Sequence, residues 1–136
     1  MTVSLIIATY NWPTALELTL MSAMQQSRLP EEIIIADDGS TEETKILVDK
    51  FKAISPVPVK HVWHEDEGFR LAKIRNRAIV VSTGEYVIQI DGDIIMHPDF
   101  VKDHADFARR GSYVSGSRVN MDEALSKYLQ ESKSTQ

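Results

Sequence analysis

The chain contains no cysteine and has no long hydrophobic segment. Without cysteine it can form neither disulfides nor thiolate metal sites, which is compatible with a reducing compartment. No run approaches the roughly 20 apolar residues that a transmembrane helix needs, and the N-terminus lacks the basic start and cleavage site of a secretory signal. We therefore expect a water-soluble protein in the cytoplasm, either free or peripheral to the inner face of a membrane.

An excess of positive charge is also lacking. The 136 residues include 15 Lys and Arg against 20 Asp and Glu, a formal net charge of -5, with no Lys/Arg-rich block. This balance argues against nucleic acid or an anionic membrane surface as the main partner, although it leaves room for a small anionic ligand. The length and the 43% hydrophobic content fit one compact domain.

Short apolar runs alternate with amphipathic segments along the chain. The runs are mostly apolar and end in polar groups, which is typical of buried strands that lead into loops. Pro56 and Pro58 flank the weakest of these strands and indicate that it lies near a sheet edge. The four predicted strands extend from Val3 to Ala8, from Ile33 to Ala36, from Val57 to Val62 and from Tyr86 to Ile90.

Helices are predicted between the strands. Pro13 suits the first turn of the first helix, and Ser40 with Glu43 has the spacing of a capping box at the start of the second. Two more helices are predicted from Phe69 to Val80 and from Pro98 to Arg109, before a strand from Tyr113 to Val119.

This alternation predicts an α/β fold with a Rossmann-like, mainly parallel sheet that has helices on both faces. We expect one domain over 1–119 and a polar, partly helical tail over 120–136. In such a sheet, ligands bind outside the carboxyl ends of the strands, where helix N-termini point their N–H groups. Three polar loops follow predicted strands and should meet there: Thr9-Tyr10-Asn11, Asp37-Asp38-Gly39-Ser40 and Asp91-Gly92-Asp93.

Asp91 and Asp93 are two acids separated by Gly92, directly after a predicted buried strand. Two carboxylates this close repel each other unless a cation, a hydroxyl ligand, a proton or water relieves them. Oxygen ligands suit Mg²⁺ or Mn²⁺, which commonly bridge protein carboxylates to substrate phosphates. The alternative for an isolated pattern of this kind is an acidic surface turn.

The second loop and the basic helix each have two interpretations. Asp37 and Asp38 can form a helix entry that complements the helix dipole, or one of them can accept hydrogen bonds from a base or ribose. The cationic side chains between Phe69 and Val80 can form a solvated face, or they can offset diphosphate charge. The residues in question on that helix are Arg70, Lys73, Arg75 and Asn76. Trp12, Trp63 and His97 are interpreted as packing or structural residues, with His97 as a weaker candidate for a metal ligand.

Four segments together resemble the donor-binding half of family 2 glycosyltransferases with the GT-A fold. The stretch VSLIIATYNWP resembles the family's opening strand and loop, IIIADDGSTEET its second, and YVIQIDGDIIMHPDF the strand that carries its D-x-D motif. The segment GFRLAKIRNRAI resembles the helix before that strand, especially in the branch of chondroitin- and galactosyl-type polymerases. The segments occur in the family's order.

The resemblance implies a role for each matching position. Asp38 would hold a uracil-type base with Asp37 beside it, and Asp91 would contact ribose or act on the metal indirectly. Asp93 would ligate the Mn²⁺ or Mg²⁺ that bridges the donor's diphosphate, and Gly92 would lie in the same site. The remaining residues implied in substrate binding are Thr9, Tyr10 and Asn11 around the nucleotide, Lys73 and Asn76 from the basic helix, and, less directly, Arg70 and Arg75.

The activity that the resemblance implies is inverting transfer of a sugar from a UDP-sugar to an acceptor hydroxyl, assisted by a divalent metal. GT-A catalytic domains are longer than this chain, so we expect a truncated form whose general base lies outside it, and we assign no catalytic residue. Asp122 and Glu123 do not resemble the family's catalytic acids. The alternative is a non-catalytic nucleotide-sugar-binding module or an inactive fragment.

Two other enzyme classes fit the sequence less well. Asp91-Gly92-Asp93 also resembles the aspartate pair of haloacid-dehalogenase-type phosphatases, but there the pair usually follows the first strand, and no downstream acidic pair fits. A dinucleotide dehydrogenase is disfavoured because the first strand leads into T-Y-N-W-P without a G-x-G-x-x-G pattern.

Overall fold

The computed structural model describes residues 1–111 of the chain. The predicted strand from Tyr113 to Val119 and the polar tail over 120–136 lie outside the described residues, so the domain boundary at 119 stays a prediction. None of the described helices is long and apolar enough to cross a membrane. The elements are β1 Val3–Thr9, α1 Pro13–Met24, β2 Glu32–Asp37, α2 Glu42–Ile54, β3 Val59–Trp63, α3 Leu71–Val81, β4 Tyr86–Asp91 and α4 Phe100–Phe107.

The four described strands form one parallel sheet in the order β3-β2-β1-β4. This confirms the predicted α/β architecture, and β3 lies at the sheet edge as its neighbouring prolines indicated. The strand begins at Val59, two residues later than expected, because Pro58 has no N–H for the ladder. Its carbonyl nevertheless accepts a hydrogen bond from Ile33 N at 2.9 Å.

Successive residues of β1 supply the two apolar faces of the sheet. All seven residues of this strand are buried. Leu5 and Ile7 pack in the cluster formed with α1, α2 and α4, whereas Ile6 packs against Ile74 and Ala78 of α3. Helices therefore cover both faces of the sheet, and each fully buried Leu or Ile contributes about 1.5–3 kcal/mol of transfer free energy.

The predicted capping box at the start of α2 is wrong. The N-cap residue is Thr41, and no side chain caps the helix there. The hydroxyl of Ser40 instead accepts a hydrogen bond from Asn11 N at 2.8 Å, and Ser40 N donates to Asp37 Oδ1 at 2.9 Å. Ser40 thus joins two loops because a partner distant in sequence competes for its oxygen.

The strand order creates a crevice beside β1. The chain moves from β1 to β2 and β3 on one side, and then crosses through α3 to place β4 on the other side of β1. At such a reversal the connections leave the carboxyl ends of neighbouring strands in opposite directions, which opens a binding crevice. Thr9 and Asp91 end the two strands at this point.

Glu32 is a buried ionic centre at the opposite end of β2. Only 4% of the residue is exposed, and its carboxylate contacts Lys60 Nζ at 2.7 Å, Ser4 Oγ at 2.6 Å and Thr83 N at 2.7 Å. Burial raises the pKa of Glu32, but the hydrogen bonds from Lys60, Ser4 and Thr83 outweigh it and lower the pKa from 4.5 to about 2. The ionised form therefore stabilises the fold.

Glu32→Gln is expected to lower the free energy of unfolding by about 2 kcal/mol at neutral pH, since hydrogen bonds to charged groups contribute about 1.5–3 kcal/mol. Because the folded-state pKa is depressed, this contribution is present above the unfolded pKa of 4.5 and is lost as the pH falls toward about 2. Urea unfolding of wild type and E32Q at several pH values measures this difference in the free energy of unfolding. The exposed Glu43→Gln is the control, with a change within about 0.5 kcal/mol. An E32Q difference that does not shrink at acidic pH would contradict the ionic role.

Candidate functional site

A cavity of about 370 Å³ lies outside the carboxyl ends of β1, β2 and β4. Its volume falls within the range of about 300–1,000 Å³ that is common for small-molecule sites. All three polar loops singled out in the sequence contribute to its wall, as the topology predicted. The lining residues are Ala8, Thr9, Tyr10, Trp12, Asp38, Asp66, Gly68, Phe69, Leu71, Asp91, Gly92 and Asp93.

The predicted site residues divide into two groups by position. Those that line the cavity are Thr9, Tyr10, Asp38, Asp91, Gly92 and Asp93. Those that are not part of its lining are Asn11, Asp37, Arg70, Lys73, Arg75 and Asn76.

Asn11 and Asp37 are not part of the cavity wall, but both connect its loops. Asn11 has a left-handed backbone, with φ +44°, and its Oδ1 accepts a hydrogen bond from Thr41 N at 2.8 Å. Asp37 is fully buried and contacts Ser40 N at 2.9 Å and His61 Nε2 at 2.8 Å. These contacts fix the β1 and β2 loops relative to each other, which limits the reorganisation that a ligand would require.

Asp38 is a buried carboxylate on the cavity wall. The residue is 3% exposed, its Oδ1 lies 2.6 Å from His64 Nε2, and its Oδ2 accepts a hydrogen bond from Arg70 N at 2.9 Å. Two donors thereby hold the carboxylate in one orientation. Each oxygen has a second lone pair, so Asp38 can still accept a hydrogen bond from a ligand.

No cation of the predicted basic helix lines the cavity, although Arg75 pairs with the lining residue Asp91. The Arg70 guanidinium lies 3.3 Å from Glu67 Oε2 and donates to Glu65 O at 2.6 Å. Lys73 and Asn76 are exposed residues of α3. No Lys or Arg is among the lining residues, so this part of the chain supplies no direct cation to the cavity.

Tyr10 and Asp66 form a pair at the rim of the cavity. Tyr10 Oη donates to Asp66 Oδ2 at 2.6 Å, and this hydrogen bond raises the pKa of Tyr10 and lowers that of Asp66. The backbone of Asp66 also approaches Gly39, where a Cβ would lie 2.6 Å from Asp66 Cα. Gly39, with φ +92°, permits this contact between the β2 and β3 loops.

The loop after β4 places two carboxylates beside the end of β1. Gly92 N donates to Ala8 O at 2.6 Å, and a Cβ at Gly92 would lie 2.8 Å from the same oxygen. Asp91 and Asp93 flank this glycine, and Asp91 Oδ1 lies 2.5 Å from Arg75 Nη2. The close approach of the two backbones therefore requires glycine between the acids.

The donor set fits a metal that needs few protein ligands. Within residues 1–111, no group of three or more His, Cys, Asp or Glu could hold an ion. Asp91 and Asp93 nevertheless place hard carboxylate oxygens in one cavity, which suits Mg²⁺ or Mn²⁺ because these ions bind one or two carboxylates and complete their shell with water and phosphate. His97 is not part of the cavity wall, and its Nδ1 accepts a hydrogen bond from Asp99 N at 3.1 Å.

Six lining residues were not predicted as site residues: Ala8, Trp12, Asp66, Gly68, Phe69 and Leu71. Asp66 and Phe69 lie in the loop between β3 and α3, and no local pattern distinguishes them from solvated loop residues. Trp12 was interpreted as a packing residue but is 46% exposed and lines the cavity. Its position next to the first polar loop was the available signal.

Comparisons with known proteins agree with the fold. The chain is 30% identical to the chondroitin synthase of Escherichia coli over 129 residues, which cover 93% of this chain and 18% of that protein. S. aureus TarS 1-349 in complex with UDP is 30% identical with a TM-score of 0.65, and the match covers 79% of this chain and 32% of that one. The mannosyltransferase PcManGT of Pyrobaculum calidifontis, in complex with GDP-Man and Mn²⁺, is 26% identical with a TM-score of 0.69, over 77% and 31% of the two chains.

The chain therefore spans less than a third of the length of these relatives. A family model for glycosyl transferase family 2 matches residues 4–134, nearly the whole sequence. The parallel sheet, the crevice beside β1 and the structural neighbours all agree with that match. The chain belongs to glycosyl transferase family 2, and its described part has the nucleotide-binding architecture of GT-A glycosyltransferases.

Proposed function

We propose that the chain binds a UDP-sugar together with Mn²⁺ or Mg²⁺, as the donor-binding part of a glycosyltransferase that transfers the sugar to an acceptor hydroxyl. The observation that carries this proposal is the convergence of Asp38, Asp91 and Asp93 on one cavity. One nucleotide in this cavity could then contact both Asp38, as the hydrogen-bond acceptor for its base, and the two carboxylates that would serve a metal ion. Structural neighbours in complex with UDP, and with GDP-Man and Mn²⁺, support this choice of ligand.

The charge of the cavity explains why a cation is needed. No Lys or Arg in the described part of the chain lines the cavity. Its four lining aspartates are Asp38, Asp66, Asp91 and Asp93. A diphosphate carries negative charge and would be repelled by such a wall at short range. A divalent cation held by Asp93 would reverse the sign of this interaction.

Each carboxylate then has a separate part in binding. Asp93 would hold the ion together with diphosphate oxygens, and Asp91 would contact ribose or act on the metal indirectly. Asp38 would accept a hydrogen bond from the N–H of a uracil-type base. Its contacts with His64 and with Arg70 N hold its oxygens in a fixed orientation for that bond. Asn11 and Asp37 would act by holding the loops in place, whereas direct contacts from Lys73 and Asn76 stay predictions.

The described residues serve the leaving-group side of the reaction. In an inverting transfer a base deprotonates the acceptor hydroxyl, which attacks the anomeric carbon while the nucleoside diphosphate departs. A bound divalent metal would stabilise the negative charge that develops on that leaving group. We assign the general base to none of the residues 1–111. Donor binding without turnover is the second candidate, because the assigned cavity residues all serve the donor.

Calorimetric titration tests the proposal. UDP and UDP-sugars should bind in the presence of Mn²⁺ and much more weakly in its absence. Binding of UDP that is equally tight without metal would contradict the proposed site. Formation of a glycosylated product from a UDP-sugar and an acceptor then separates a transferase from a binding module.

A further inference from the structure

An arginine from α3 is paired with one of the two proposed metal-site carboxylates. Arg75 Nη2 lies 2.5 Å from Asp91 Oδ1, with 33% of the Arg75 side chain and 45% of the Asp91 side chain exposed. Asp91 and Asp93 lie on the same cavity wall, on either side of Gly92.

The guanidinium is held by a rigid part of the fold. Ile74 and Ala78, which flank Arg75 along α3, are fully buried against Ile6 and Ile34 of the sheet. The helix backbone at this point is therefore anchored, and the arginine reaches Asp91 from a packed helix and not from a mobile loop. A planar guanidinium also restricts the direction in which the carboxylate can face.

The pair has two consequences for a divalent ion near these acids. It engages a carboxylate oxygen of Asp91 that the ion would otherwise attract. It also places a positive charge close to the ion, which lowers the ion's affinity in the absence of a further anion. The diphosphate of a nucleotide would supply that anion.

We propose that Arg75 is a positioning residue that keeps Asp91 out of the metal's coordination shell, so that the ion binds firmly only together with the nucleotide. This inference rests on the proposed donor site and adds a binding order to it. Asp93 and the diphosphate would hold the ion, and Asp91 would remain oriented by Arg75 toward the ribose side of the nucleotide.

Titration with Mn²⁺ alone tests the inference without measuring activity. Wild type should bind Mn²⁺ weakly, and Arg75→Gln should bind it about tenfold more tightly, because removal of one positive charge at close range is worth about 1.4 kcal/mol at an intermediate dielectric constant. Arg75→Lys keeps the charge and should resemble wild type. Arg77→Gln is the matched control, since Arg77 donates to Trp63 O at 3.2 Å and not to the aspartate loop.

A double variant separates a direct effect from a general one. In Arg75→Gln/Asp91→Asn the released carboxylate is gone, so the gain in Mn²⁺ affinity should disappear. Thermal unfolding checks each variant, and Arg75→Met removes the charge while keeping the aliphatic stem if the glutamine variant does not fold.

The outcomes that overturn the inference differ from those that overturn the donor site. The role of Arg75 is overturned if R75Q or R75M binds Mn²⁺ alone no more tightly than wild type does. If wild type still binds UDP in an Mn²⁺-dependent way, the donor site stands. An equal gain in R77Q also overturns the role of Arg75. Absence of Mn²⁺-dependent UDP binding in wild type overturns the proposed function, and with it this inference.

Discussion

Asp93→Ala is expected to weaken UDP binding in the presence of Mn²⁺ by about a hundredfold or more, to the level measured without metal. Loss of groups that only support a metal ligand already costs about 10–100-fold in metal affinity, and loss of a ligand should cost at least as much. The acidic cavity would then repel the diphosphate. Calorimetry of UDP binding with and without Mn²⁺ measures both the affinity and its dependence on metal.

The control for this variant is Asp106→Ala. Asp106 is an exposed aspartate of α4 that pairs with Lys102 at 3.0 Å and is not part of the cavity wall. Its removal should leave UDP binding unchanged and cost no more than about 0.5 kcal/mol of stability. An Asp93→Ala protein that retains wild-type, Mn²⁺-dependent UDP affinity would show that the metal binds elsewhere.

Asp38→Asn is expected to weaken UDP binding by about 10–100-fold and to reduce the preference for UDP over CDP. Uracil presents an N–H at the position where cytosine presents an acceptor nitrogen, so an ionised carboxylate accepts from the first and repels the second. A hydrogen bond to a charged group is worth about 1.5–3 kcal/mol, which sets the size of the effect. Parallel titrations with UDP and CDP in the presence of Mn²⁺ measure it.

Pyrophosphate provides the internal control for Asp38→Asn, because it has the metal-binding oxygens of the ligand but no base. Its Mn²⁺-dependent affinity should not change. The substitution also disturbs the contacts of His64 and of Arg70 N, so we expect a loss of about 1–3 kcal/mol in the free energy of unfolding. An unchanged ratio of UDP to CDP affinity would refute base recognition by Asp38, whatever the loss of stability.

The sheet and the meeting of three loops could be predicted from the sequence because they depend on local patterns and general topology. The apolar run from Val3 to Ala8 has no polar interruption except Ser4, and such a run is buried on both faces only in a covered parallel sheet. The prolines beside β3 favour a position near the sheet edge. Asp38 and Asp93 follow the carboxyl ends of parallel strands, so their position at the same edge can be predicted without knowing any side-chain contact.

The individual side-chain partners could not be predicted, because they depend on competition between loops that are distant in sequence. Ser40 has a capping-box pattern, but Asn11 N from the β1 loop occupies its hydroxyl. Arg70 was a less direct candidate for offsetting diphosphate charge, but its guanidinium contacts the Glu67 carboxylate and the Glu65 carbonyl. Asp66 enters the wall because its loop packs against Gly39, a contact that no local spacing indicates.

Paramagnetic broadening by Mn²⁺ in the amide spectrum of the protein is the most direct measurement of the central claim, that one cavity binds a metal and a nucleoside diphosphate together. With UDP present, small amounts of Mn²⁺ should first broaden the amides of 91–93 and the neighbouring 8–10. Those near Glu32 and Thr83, at the opposite end of the sheet, should stay sharp. Broadening centred on Glu32 and Thr83 or on the acidic residues of α4, with 91–93 unaffected, would contradict the account.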